Sequence, residues 1–145
     1  MRGRLEPTFF TDRDLGKTFP KLLNENGIKT EKYFEHFPDN TTDIEWLKEI
    51  GKKGWYCISH DKRIRYNPTE REAVINSGIG LFLLVGHTNN KELAENFVNT
   101  FKKIEKFIKK HQRPFIAKVY RPQKPDKASA KKKAGEVTLW LGPDS

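Results

Sequence analysis

Gly80-Leu81-Phe82-Leu83-Leu84-Val85, GLFLLV, carries no polar side chain on either face of a strand's alternation. A strand with one wet face alternates apolar and polar residues, whereas a continuous apolar run fits a strand buried on both faces of a parallel sheet. Downstream, Asn89 with Glu92 forms a capping box that opens the longest helical pattern. Within it Leu93, Phe97, Phe101, Ile104 and Ile108 recur at spacings of three and four. A second apolar run, Phe115 to Tyr120, follows that helix, and an earlier one, Trp55 to Ser59, precedes GLFLLV.

The same alternation extends toward the start of the chain. Leu5 to Thr11 predicts a first strand, interrupted by Pro7. Leu15 to Asn26 predicts a helix with Phe19, Leu22 and Leu23 on one face, a short or kinked first turn at Pro20, and a stop at Gly27. Ile28 to Phe34 reads as a second strand. Thr42 and Glu45 form a capping box for a helix running to about Lys53 and ending at Gly54. Pro68 opens a further helix, Thr69 to Ser77, closed by Gly78. Val137 to Leu141 predicts a last strand, pairing antiparallel at the sheet edge with Phe115 to Tyr120. Strands alternating with helices imply an α/β fold with a mainly parallel sheet covered on both sides. The expectation is one domain over 1–145, with about 121–136 a mobile loop or hairpin rich in Lys, Pro and Ala.

A chain of 145 residues is long enough to bury a core without crosslinks. The lone cysteine, Cys57, has no partner for an internal disulfide, in keeping with a reducing compartment. There is no run of about 18 apolar residues and no apolar leader, so a soluble cytoplasmic protein with no membrane contact is expected. The net charge of +9 points to a polyanionic partner, because each neutralised phosphate releases counterions. The basic residues concentrate late in the chain: Lys102, Lys103, Lys106, Lys109, Lys110 and Arg113, then the lysines of 124–133.

Ligands of open α/β sheets sit beyond the carboxyl ends of the strands. Asp12 and Asp14 follow the first strand in FFTDRDLG (9–16), and Asp61 follows the third in YCISHDKRIR (56–65). Asp43 and Glu45 open the helix between the second and third strands, facing the same rim. Oxygen ligands in this number suit Mg²⁺ or Mn²⁺. The four histidines lack ligand-like spacing, and no glycine-rich phosphate loop is present. Carboxylates, a hard cation and a basic surface suit phosphodiester hydrolysis. Each acid has a plainer alternative. Asp12 and Asp14 also fit helix caps, Asp43 suits a helix macrodipole, Glu45 completes a capping box, and Asp61 fits a polar turn. Lys62, Arg63 and Arg65, with Arg13, are candidates to hold phosphates or are solvated charge, and Ser59 is a candidate support for the site.

FFTDRDLG, TTDIEWL (41–47) and GWYCISHDKRIR (54–65), in that order, resemble the PIN-like nuclease family, in particular the compact branch related to VapC toxins. The resemblance extends through about residues 8 to 122. It implies a three-layer α/β/α fold and a metal-dependent endoribonuclease using Mg²⁺ or Mn²⁺ on Asp12, Asp43 and Asp61. It further implies RNA as substrate, a cognate antitoxin as partner, and a homodimer. Such nucleases often carry a fourth acid, for which Asp14, Glu45, Glu70 and Glu72 are the candidates. Two other functions compete. One is an inactive PIN-like module that binds nucleic acid or protein. The other is a haloacid dehalogenase-like phosphatase, since FFTDRD also imitates a strand followed by D-x-D, although the later acidic pair of that chemistry is missing.

Overall fold

The computed structural model describes residues 6–122 and 133–142. The order of elements is β1 (Phe9–Thr11), α1 (Thr18–Glu25), β2 (Thr30–Lys32), α2 (Asp43–Lys53), β3 (Tyr56–Ser59), α3 (Lys62–Tyr66), α4 (Pro68–Asn76), β4 (Gly80–Val85), α5 (Asn90–Lys110), β5 (Phe115–Tyr120) and β6 (Glu136–Leu141). Single 3-10 turns occupy Arg13–Leu15 and Tyr33–Glu35. The strands form one sheet in the order β2-β1-β3-β4-β5-β6. All pairings are parallel except β5 with β6, which is antiparallel.

The apolar strands divide their side chains between two cores, as burial on both faces requires. Phe9, Ile58, Phe82 and Leu84 meet Phe19 and Leu23 of α1 and Phe97 and Ile104 of α5. Phe10, Cys57, Leu81 and Leu83 meet Trp46, Leu47 and Ile50 of α2, Ile64 of α3 and Val74 of α4. The result is the expected three-layer α/β/α sandwich, doubly wound, with α1 and α2 on opposite faces. The winding therefore reverses between β1 and β3, the point where α/β sheets open a crevice for ligands.

Several boundaries differ from expectation. Pro7, lacking an N–H, precedes β1 rather than lying inside it, and Leu5 falls outside the described residues. The first helix is split: Gly16, at φ +62°, separates the 3-10 turn from α1. Pro20 then lies in the first turn of α1, where its missing N–H leaves no bond unmade. β2 is shorter than Ile28–Phe34 because Tyr33–Glu35 turns into a 3-10 helix. α3 has no counterpart among the sequence expectations. Of the expected basic loop, residues 123–132 lie outside the described residues. No helix among the described residues is long and apolar enough to cross a membrane.

Candidate active site

The acids are brought together at the crossover point. Asp12 directly follows β1, and its backbone N–H binds the Ile58 carbonyl of β3 at 3.1 Å, locking the two strand ends together. Its side chain is both cap and candidate ligand. Oδ1 accepts the Arg13 N–H at 2.7 Å, capping the 3-10 turn, and Oδ2 accepts the Ser59 hydroxyl at 3.0 Å. Asp14, on that turn, accepts the His60 N–H at 3.0 Å. The His60 ring in turn reaches the Gly86 carbonyl just past β4 at 2.8 Å, so the ends of β1, β3 and β4 share one rim.

Asp12 is 7% exposed. Burial, then the neighbouring charges of Asp14 and Asp61, push its carboxyl up to about 7 against the pull of hydrogen bonds from Arg13 and Ser59. Burial, with Asp61 adding repulsion, likewise pushes Asp14 up to about 6. Asp61 behaves differently. Burial would raise it, but Arg63 wins and the carboxyl lies below its ordinary range. The Arg63 side chain binds Asp61 through Nε at 3.0 Å and Nη2 at 2.6 Å. The Arg63 N–H meets Asp61 Oδ1 at 2.9 Å, capping α3. Cys57 lies beneath these acids, and burial, followed by Asp12, Asp14 and Asp43, drives its thiol well above the usual value.

Asp43 begins α2. It accepts from Trp46 Nε1 at 3.0 Å and from Arg13 Nη2 at 3.1 Å, with Arg63 Nη2 at 3.8 Å. Glu70 of α4 faces Asp43; burial, then the Asp43 charge, raises its carboxyl. Among the candidate fourth acids, Asp14 and Glu70 thus interact with the other site acids. Glu45 is exposed and serves the start of α2, its N–H bound to the Thr42 hydroxyl at 3.2 Å. Glu72 lines a surface groove between α2 and α4. Arg13 is turned inward: its guanidinium binds the Asp39 carbonyl at 2.7 Å and lies 4.8 Å from the centre of the Tyr33 ring. Lys62 is exposed on α3, and Arg65 belongs to the same helix.

A pocket of about 100 Å³ opens beside Asp12, between Lys17, Lys32 and the Tyr33–Glu35 turn. The donor set is entirely oxygen; Asp12 is a buried carboxylate, and the charge of Asp14 beside it adds repulsion. That chemistry fits a hard divalent cation, which would relieve both effects. Among the described residues no group of three or more His, Cys, Asp or Glu side chains is already arranged around a common centre. Arg63 and Arg13 engage Asp61 and Asp43 instead.

Residues 7–86 match the family described as "PIN like domain", more than half of the chain. The chain belongs to the PIN-like domain family. Its mainly parallel β2-β1-β3-β4-β5 sheet between helical layers is the fold expected of that family, and the haloacid dehalogenase alternative falls away. A curated protein of Mycobacterium tuberculosis (strain ATCC 25618 / H37Rv), named "Putative ribonuclease VapC45", is 32% identical over 78 residues. The match covers 50% of this chain and 56% of that protein, so the chain spans little more than half the length of this relative. No solved structure gives a significant match.

Proposed function

We propose that this PIN-like chain is an endoribonuclease dependent on Mg²⁺ or Mn²⁺, and the toxin of a toxin–antitoxin pair acting in the cytoplasm. The observation that carries the reading is the burial of Asp12 against Asp14 and Asp61 at the β1/β3 crossover, where a cation would relieve the crowding that raises Asp12 and Asp14. The similarity to the M. tuberculosis protein supports RNA as substrate and an antitoxin as partner. A homodimer is part of the same proposal.

Asp12, Asp14 and Asp61 would hold the metal, with Asp43 and Glu70 completing its acidic surroundings. When bound, the metal supplies a hydroxide nucleophile at neutral pH and neutralises charge developing on the phosphate oxygens. Ser59 orients Asp12 by its hydrogen bond and favours the ionised form needed for ligation. Arg13 fixes Asp43 at the start of α2. Arg63, released from Asp61, offers a planar pair of donors to a phosphate, and Lys62 and Arg65 flank it on α3.

One observation favours a second reading. Arg13 and Arg63 already balance Asp43 and Asp61, so the module would stay neutralised at this rim without a metal and bind RNA or protein without cutting. Cleavage of labelled single-stranded and structured RNA with Mn²⁺, Mg²⁺ or EDTA separates the two. The nuclease reading expects cutting that needs metal and is lost in both Asp12→Asn and Asp61→Asn. No cutting by folded, partner-free protein under any of these conditions would leave the binding module.

A further inference from the structure

At the opposite rim of the sheet a larger cleft, of about 940 Å³, lies where β1, β2, β3 and β5 begin. Among the described residues, the cations Lys29, Lys53, Lys109 and Arg113 line it together with Trp55 and Tyr56. All four cations are exposed, and among the described lining residues only Glu6 and Glu105 oppose them. Two of the cations lie over the rings. The Lys53 ammonium is 5.2 Å from the centre of the Trp55 ring, and the Arg113 guanidinium is 4.7 Å from that of Tyr56. Arg113 is further held by a 2.7 Å bond to the Gly54 carbonyl. Trp55 is half-buried, its indole stacked at 23° to Phe10.

We propose that this cleft is a second nucleic-acid contact, which takes a single strand of RNA some distance from the bond being cut. The inference rests on the ribonuclease reading for its choice of RNA. Excess positive charge alone would serve any polyanion, but the half-buried indole singles out a ligand with flat π faces. Single-strand binders combine a basic groove with aromatic platforms, and an acidic peptide has no use for the second. In this site Lys53 moves from the Trp55 ring to a phosphate as a base takes its place, while Lys29, Lys109 and Arg113 hold the flanking backbone. From Trp55 to Asp61 the chain runs roughly 20 Å along β3 and its extension. A strand that engages both rims is therefore several nucleotides long, and a very short RNA reaches only one of them.

The test is anisotropy of a labelled single-stranded RNA of about 12 nucleotides, inside the roughly 4–16-nucleotide range of single-strand sites. It is measured on the full chain in EDTA across a salt series. The Lys53→Gln, Lys109→Gln double variant is compared with wild type and with Lys48→Gln, Lys52→Gln on α2, which removes the same charge elsewhere. The expected result is affinity roughly tenfold weaker for the cleft variant near physiological salt, with the salt slope smaller by about 1.4. The α2 variant should match wild type. Trp55→Phe should abolish most of the RNA-induced change in tryptophan emission. Equal losses in both double variants, no loss in either, no RNA binding by wild type, or equally tight binding of a polyglutamate peptide would each overturn the proposal. Cleavage in Mn²⁺ is scored separately. Metal-dependent cutting with unaltered cleft binding sinks only the cleft, and Lys53- and Lys109-dependent binding without cutting sinks only the nuclease.

Discussion

Ser59 joins two candidate ligands through one oxygen: its hydroxyl donates to Asp12 Oδ2 at 3.0 Å and accepts the Asp61 N–H at 3.1 Å. Ser59→Ala removes a bond that favours ionised Asp12 and leaves desolvation and the neighbouring carboxylates to hold its proton. A hydrogen bond to a charged group is worth about 1.5–3 kcal/mol, so metal-dependent cleavage at pH 7 should fall at least about tenfold. The deficit should narrow as pH rises and Asp12 ionises regardless. Parallel pH–rate profiles of wild type and variant would refute this if the ratio stayed constant.

Asp12 also sets a pH dependence of stability. Its carboxyl titrates near 7 when folded, against an ordinary value of 3.8. The folded chain thus keeps a proton that the unfolded chain has released; the favourable contribution is full in acid and disappears as pH climbs through about 4 to 7. Asn at this position is isosteric and still able to cap the turn. Asp12→Asn should therefore be more stable than wild type in EDTA at pH 8, by on the order of 2–4 kcal/mol. The gain should vanish below about pH 4. Thermal unfolding at both pH values is the check, and a variant no more stable at pH 8 contradicts the burial argument.

The Asp61–Arg63 pair has the opposite sign. A carboxyl held below its usual range contributes stability above the ordinary carboxylate value and loses it in acid. Because the Arg63 side chain is 61% exposed, Arg63→Ala should cost no more than about 1 kcal/mol at neutral pH. The same change frees Asp61 Oδ2 and leaves Oδ1 only the backbone N–H that caps α3. Calorimetric titration should then show Mn²⁺ binding several-fold tighter, while cleavage drops for want of a phosphate ligand. Weaker Mn²⁺ binding would mean that Arg63 supports the metal rather than competing with it.

Glu70 and Glu45 offer a direct contrast, since the charge of Asp43 acts on one and the other is exposed. Glu70→Gln should lower cleavage by roughly tenfold or more, whereas Glu45→Gln should stay within about twofold, surface changes away from such features being mild. Equal effects would remove Glu70 from the site.

Gly80 at the start of β4 has no room for a side chain. A Cβ there would lie 2.6 Å from the Phe115 ring and 2.7 Å from that of Tyr56. Gly80→Ala should cost about 1–3 kcal/mol by overpacking, measurable as a lower denaturant midpoint at unchanged slope.

These particulars mark what sequence can and cannot convey. GLFLLV and the Asn89 box disclosed the parallel sheet and the longest helix because strand burial and capping are written locally. The carboxyl-end rule puts Asp12 and Asp61 on one rim from sequence alone. α3 leaves no local signal, because HDKRIRYNP, residues 60–68, has no apolar period and its helix is short. Glu45 drew attention through its spacing from Thr42, yet that spacing reports only a helix start. Glu70 reaches Asp43 because α4 returns beside the start of α2, and the hold of Arg13 and Arg63 on Asp43 and Asp61 arises the same way. Both are facts of packing between segments, for which no local pattern exists.

Cys57 has a practical consequence. It is the sole cysteine, fully buried in β3, with parallel partners β1 and β4 on either side. A thiol reagent reaches its sulfur only when the middle of the sheet separates, so the labelling rate is an internal clock for that opening. A cation or RNA that binds the closed sheet alone would slow the clock in proportion to its occupancy, reporting affinity without any bond in the RNA being cut.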